Sequence, residues 1–188
     1  GYVDQDAAGL TLTPAGEAMA EEAGAFSRAY SGVSELEAIL REKLPVKDVL
    51  IARGDADEDE HVLPEVGRLC AMRLRSMLHN GSTLAVSGGR YIAAVAAYMP
   101  TTAPMNVMVV PARGGMGRSA ELQANTLASE IAGRIGGHYR MIHVPDRLDE
   151  NAMQEMLKVP EIREVMDLIR RADIVLHGIS LGKSEVQD

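Results

Sequence analysis

The stretch LAVSGGRYIAAVAAYM, Leu84 to Met99, decides the fold. Three apolar residues and a serine lead into Gly88-Gly89, and a run of small, helix-forming residues begins at once. A continuous apolar run of this length, closed by paired glycines, reads as a strand covered on both faces that turns directly into a helix. VMVVPARGGMG, Val107 to Gly117, is a second junction of the same kind.

Working outward, the same alternation continues. A helix is predicted from about His61 to His79, with Val62, Val66, Leu69 and Cys70 at helical spacing and Asn80-Gly81 ending it in left-handed geometry. Strand Thr83–Ser87 follows, then the helix after Gly89 and strand Val107–Pro111. A helix from about Ser119 to Ile135 is stopped by Gly136-Gly137 and precedes strand Tyr139–Val144. Helical pieces around Asn151–Leu157 and Glu161–Arg171 come before a last strand, Asp173–Gly178. Strands alternating with helices of this length predict an α/β fold, a parallel sheet with helices on both faces.

The N-terminal part differs. Gly9 to Thr13 alternates like an edge strand after a polar turn, and Thr13 is placed to cap a helix with Pro14 in its first turn. Met19, Ala23, Phe26, Tyr30 and Val33 then form a stripe that suits either a coiled-coil seam or packing on its own domain. Ser34-Glu-Leu-Glu37 has the form of a capping box for a helix to Leu44, and Val46 to Ala52 reads as a strand. Asp55 to Glu60 is an acidic run without the glycine and terminal glutamate of a calcium loop; it reads as a solvated loop before a helix N-terminus. The chain reads as a fragment at both ends: residues 1–33 as the end of one domain with a linker helix, residues 34–188 as an α/β domain incomplete at its C-terminus.

Composition narrows the partners. Aromatics are 3% of the residues, against 11 methionines, which argues against stacking on single-stranded nucleic acid. A formal net charge of −8 makes the chain a poor binder of polyanions, so any anion site must be local. Cys70 is the only cysteine, which excludes an internal disulfide; it reads as a buried structural thiol. Neither a signal peptide nor an apolar run of membrane-spanning length is present, and a cytoplasmic location with no membrane partner is expected.

In a parallel α/β sheet, ligands bind outside the carboxyl ends of the strands. Gly88 and Gly89 stand at such an end, where bare backbone and a helix N-terminus serve either an oxyanion or a tight turn. Arg113 stands at the end of the neighbouring strand beside Gly114, Gly115 and Gly117, placed to grip a phosphate bidentately or to pair with surface acids. Gln123, Asn125 and Thr126 offer neutral hydrogen bonds suited to hydroxyls. Together these residues describe a pocket for a small phosphorylated, hydroxyl-bearing molecule. No catalytic, metal or cofactor motif accompanies them: His61, His79, His138, His143 and His177 show no ligand spacing, and His177, at a strand end, is the best placed.

These motifs carry a family resemblance. GLTLTPAGE resembles the last wing strand of a winged helix-turn-helix domain running into its exit helix. SGGRYIAAVA, VVPARGGMG, LQANTLASEIA, YRMIHVP and ADIVLHGI resemble the effector-binding domain of SorC/DeoR-type transcriptional regulators, particularly those of central glycolytic genes in Gram-positive bacteria. The resemblance implies a Rossmann-like fold related to sugar-phosphate isomerases, without catalysis or a cofactor. It further implies a homo-oligomeric repressor whose effector is a phosphorylated sugar, fructose 1,6-bisphosphate or a related glycolytic intermediate, and whose operator DNA is bound by an N-terminal domain absent from this chain. Its effector contacts map onto Gly88, Gly89, Arg90, Tyr91, Arg113, Gly114, Gly115, Met116 and Gln123. Arg90 and Tyr91 stand where the family has two small hydroxyl residues. That favours a retained site with altered preference, Arg90 supplying a cation, over a pocket closed by bulk. The alternative activity is a sugar-phosphate isomerase or deaminase of the same fold.

Overall fold

The structure, a computed structural model, describes residues 1–6, 9–16, 18–19, 22–24, 32–101, 104–114, 120–145 and 148–179. They form two compact units, Gly1–Arg53 and Gly54–Asp188.

The first unit opens with an antiparallel hairpin of β1 (Val3–Asp6) and β2 (Gly9–Leu12), in register from Val3 opposite Leu12 to Asp6 opposite Gly9. β1 is absent from the sequence reading, which treats those residues as a polar lead-in. Thr13 caps the following turn as expected: its Oγ1 accepts from the Gly16 N–H at 3.1 Å, and residues 14–16 are helical. Of the apolar stripe, Met19 and Ala23 are helical and exposed, Val33 begins the next helix, and Phe26 and Tyr30 lie outside the described residues.

Helix α1 (Val33–Lys43) overturns two expectations. Its N-cap is Gly32 at φ 73°, with no side-chain cap, so Ser34 already lies inside the helix. Glu37 does not reach back to the helix start; its Oε1 accepts from the Ile51 N–H at 2.9 Å. The segment Val46–Ala52 is not a strand. Its backbone finds side chains instead of a ladder: besides Glu37, the Asp48 Oδ1 accepts from the Val49 N–H at 3.0 Å. A short polar side chain that satisfies the backbone locally competes with sheet pairing.

The second unit carries the predicted alternation. Its elements are α2 (Val62–Met77), β3 (Thr83–Val86), α3 (Arg90–Tyr98) and β4 (Met108–Pro111). A 3₁₀ turn at Ala120–Leu122 leads into α4 (Ala124–Ile135), then β5 (His138–Tyr139), α5 (Glu150–Met156), α6 (Pro160–Arg170) and β6 (Ile174–Leu176). The four strands are all parallel in the order β5-β4-β3-β6.

Alternation along the strands sorts the core into two layers. Leu84, Val86 and Val109 are fully buried with α2, α3 and α4, including Ile92, Leu127 and Ile131. Ala85 and Val110 face the other way, with Val165 and with Ile162, Met166 and Ile169 of α6. Successive residues of a strand point to opposite faces, so helices on both sides require every position to be apolar. Cys70 packs half-buried against the first layer, and burial raises its thiol pKa, which favours the inert protonated form. Among the described residues no helix is long and apolar enough to cross a membrane.

Element ends differ from the sequence reading where tertiary partners intervene. α2 stops at an extended Leu78, and the left-handed residue, Gly81 at φ 91°, comes later in a turn whose N–H donates to the Asn106 carbonyl. Gly136 ends α4 at φ 60°, as expected. β5 pairs with β4 at only two positions, where a strand to Val144 is predicted. Beyond them the Asn125 side chain takes over: its Oδ1 accepts from the Ile142 N–H at 3.0 Å and its Nδ2 donates to the Ile142 carbonyl at 2.8 Å. Replacing Asn125 by alanine leaves both Ile142 groups without that partner at a buried position. The expected cost is about 1–3 kcal/mol, read as a lower urea midpoint with an unchanged slope.

Candidate ligand-binding site at the carboxyl ends of the strands

β3 lies between β4, its next strand in the chain, and β6, the last; the strand order therefore reverses at β3. In open parallel sheets the crevice at such a reversal is where ligands bind. A cavity of ≈ 620 Å³ opens there. The chain leaving β3 supplies Ser87 to Ile92, the end of β4 supplies Arg113, the end of β6 supplies His177 to Ile179, and the acidic loop supplies Asp57.

The glycine pair makes the junction possible in two different ways. A Cβ on Gly88 would sit 2.5 Å from the Leu122 carbonyl oxygen, so the position is closed to any side chain by a neighbouring backbone. Gly89 has open space around its Cα but φ 113°, a conformation that L side chains rarely adopt. Its N–H is already engaged, donating to the Leu122 carbonyl at 2.9 Å. The Gly89 amide is therefore not left for an anion. The first amides of α3, at Arg90, Tyr91 and Ile92, have no intrahelical acceptor; the first closing bond runs from the Ala93 N–H to the Gly89 carbonyl at 3.0 Å.

Arg90 and Tyr91, adjacent at this helix start, engage each other. The Arg90 Nη2 donates to the Tyr91 hydroxyl at 3.2 Å, and its Cζ lies 5.0 Å from the ring centroid. The same Nη2 is 3.8 Å from the Asp57 Oδ1, a charge pair too long for a hydrogen bond. Both partners are largely exposed, 59% and 87%, so the pair contributes little, about 0.2–1 kcal/mol. Asp57 is held by its own loop, its N–H donating to the Asp55 Oδ1 at 2.9 Å. The sequence reading places Asp57 in a solvated loop before a helix, as the structure does; that this one residue of the acidic run also borders the cavity is not visible in the sequence.

Of the site residues expected from sequence, Gly88, Gly89, Arg90, Tyr91 and Arg113 meet at this cavity. Gly114 and Gln123 are not among its lining residues. Gly114 fits where the Val144 carbonyl passes; a Cβ there would lie 2.4 Å from that oxygen. Gln123 precedes α4, and its carbonyl accepts from the Leu127 N–H at 3.1 Å. Gly115 and Met116 lie outside the described residues. Asn125 and Thr126 do not present their polar groups to a ligand: Asn125 is spent on Ile142, and the Thr126 hydroxyl donates to the Ala120 carbonyl at 2.7 Å. His177 lines the cavity, with Nδ1 3.2 Å from the Gly178 carbonyl oxygen. Among the described residues no group of three histidine, cysteine or acidic side chains is placed to hold a metal ion. The cavity thus joins two arginines, a helix N-terminus and one aspartate, an arrangement suited to a small anion bearing polar groups.

Comparison with known proteins agrees with this geometry. Residues 28–186 match the family described as "Putative sugar-binding domain". The central glycolytic genes regulator of Priestia megaterium is 36% identical over 94% of this chain and 52% of its own length. The regulator of that name from Bacillus subtilis is 33% identical over 98% of this chain and 55% of its own. The chain thus spans about half the length of the curated relatives it matches. Among solved structures, a SorC-family transcriptional regulator from Enterococcus faecalis is 33% identical with a TM-score of 0.66, over 75% of this chain and 58% of that one. The full-length sorbitol operon regulator SorC from Klebsiella pneumoniae, at 21% identity and a TM-score of 0.72 over 78% of this chain and 49% of that one, shares the fold. These relatives are transcriptional regulators and not enzymes. The match over most of the chain and the parallel sheet with its cavity at the strand reversal lead to one conclusion: the chain belongs to the sugar-binding domain family of SorC-type transcriptional regulators.

Proposed function

We propose that the chain is the effector-sensing domain of a bacterial, cytoplasmic repressor of sugar-metabolism genes, and that its effector is a phosphorylated sugar, fructose 1,6-bisphosphate or a related glycolytic intermediate. One observation carries the reading: Arg113 and the start of α3 border the same cavity, at the sheet position where α/β folds take ligands. A phosphate dianion there meets helix amides and a planar guanidinium, while the remaining volume suits a sugar skeleton. The names of the matched glycolytic regulators support the choice of ligand class. Operator DNA is a partner of the whole homo-oligomeric regulator rather than of this acidic domain. The effector acts by its differential affinity for the arrangements that hold operator well or badly.

Thermal unfolding with a panel of sugars tests the reading. Fructose 1,6-bisphosphate, fructose 6-phosphate or glucose 6-phosphate should raise the unfolding temperature in a concentration-dependent way, and unphosphorylated fructose should not. At a hundredfold excess over Kd the gain is about 2.7 kcal/mol. Arg113→Ala should weaken the best ligand roughly 10- to 100-fold, the loss of one charged hydrogen-bonding group. A folded wild type indifferent to every phosphorylated sugar would overturn the proposal.

A further inference from the structure

Resting on that reading, we propose that Arg90 is the specificity-determining residue of this cavity and Asp57 its built-in competitor. Arg90 trades the Asp57 carboxylate for a phosphoryl group of the ligand, so the site selects dianionic esters over weaker anions.

Three features of the Arg90 corner support this. First, the guanidinium is aimed and not merely tethered. Tyr91 takes one N–H on its hydroxyl and lies 5.0 Å from the guanidinium carbon at its ring centroid, which restrains the side chain beside the cavity. Second, the contacts to described residues use Nη2 alone. A guanidinium carries five N–H donors, and both of its two-pronged edges, Nη1 with Nη2 and Nε with Nη2, include Nη2; one Nη2 hydrogen goes to Tyr91, and the other completes such an edge for a phosphate that takes the place of Asp57. Third, the Asp57 carboxylate stands 3.8 Å from Nη2, near enough to pair by charge and too far to hydrogen-bond. A phosphate that makes two short charged hydrogen bonds outcompetes such a neighbour. A singly charged anion, a carboxylate included, draws less attraction from the guanidinium.

Asp57 therefore sets a threshold. It lowers the affinity of every anion, by a repulsion that grows with the anion's charge, so the preference for dianionic esters comes from the Arg90 guanidinium and not from Asp57. Because both side chains are exposed, the effect should shrink as added salt screens it.

The test is calorimetric titration of wild type, Arg90→Ala, Arg90→Lys and Asp57→Asn with fructose 1,6-bisphosphate, fructose 6-phosphate and inorganic phosphate at low and high salt. Arg90→Ala should bind the preferred sugar phosphate at least tenfold more weakly, with unfolding midpoints unchanged because the residue is exposed. Arg90→Lys should recover part of that affinity, since it keeps the charge without the fork. Asp57→Asn should tighten all three ligands several-fold at low salt and much less at high salt. If wild type binds a sugar phosphate and Arg90→Ala binds it within twofold, this proposal fails while the sensing function stands. It also fails if Asp57→Asn weakens binding, which would make Asp57 a direct ligand contact. A wild type that binds none of the three removes the sensing function and this inference with it.

Discussion

Truncating Leu84 to alanine is expected to cost about 2–5 kcal/mol, the range for a leucine lost from a packed core. Leu84 is fully buried in β3, a strand with neighbours on both sides, and belongs to the layer formed with α2, α3 and α4. Its removal forfeits the transfer energy of the side chain and leaves a void that a sheet hydrogen-bonded on two edges cannot collapse to fill. A urea titration should show a lower midpoint at constant slope. The matching control is Leu36→Ala in α1, where the side chain is 48% exposed and the change should stay within about 0.5 kcal/mol. Equal effects at the two positions would mean that β3 is not the centre of the core.

Gly88→Ala is the second large effect, about 3 kcal/mol, at the upper end of overpacking costs because the obstacle is backbone and not a side chain that could turn away. The added methyl would lie 2.5 Å from the Leu122 carbonyl oxygen. Relief requires moving either the β3–α3 turn or the 3₁₀ turn, and the first of these carries the cavity wall. Loss of stability and loss of sugar-phosphate binding should therefore appear together. Gly89→Ala meets no atom and pays only for φ 113°, a strain of about 1–2 kcal/mol. Denaturation midpoints of the two variants separate a steric from a conformational demand at adjacent positions; a reversed order would contradict the geometry.

The α/β plan was legible because a sheet covered on both faces leaves an unambiguous trace: short apolar runs, such as Leu84 to Val86 and Val107 to Val110, each followed by a helical segment. What periodicity does not encode is the partner. Val46–Ala52 has the composition of a strand, yet its backbone bonds to Glu37 and Asp48 side chains. The intended capping partner Glu37 was lost to the same contact. β5 falls short of Val144 because Asn125, more than a dozen residues away in sequence, supplies the amide pair that a neighbouring strand would have offered.

Site residues divided along the same line. Gly88, Gly89 and Arg113 were read from position, since parallel strands deliver their carboxyl ends to one side, and Arg90 and Tyr91 from the family resemblance; all five border the cavity. Residues inside a following turn or helix were harder. Gln123, Asn125 and Thr126 have the right chemistry for a sugar, but side-chain direction and local bonding decide their role, and for Asn125 and Thr126 that role is internal. Asp57 was missed for the opposite reason: its neighbours in the acidic run resemble it, and only the fold singles it out.

The cavity rim is assembled from segments that begin at Asp57 and end at Ile179, with the whole α/β core strung between them. A molecule held there acts as a noncovalent cross-link across nearly the entire second unit. Fraying at any one segment would forfeit the bound state, so occupancy should slow amide exchange and proteolytic nicking far from the contacts themselves, at the edge strand β6 as well as at the loop before α2.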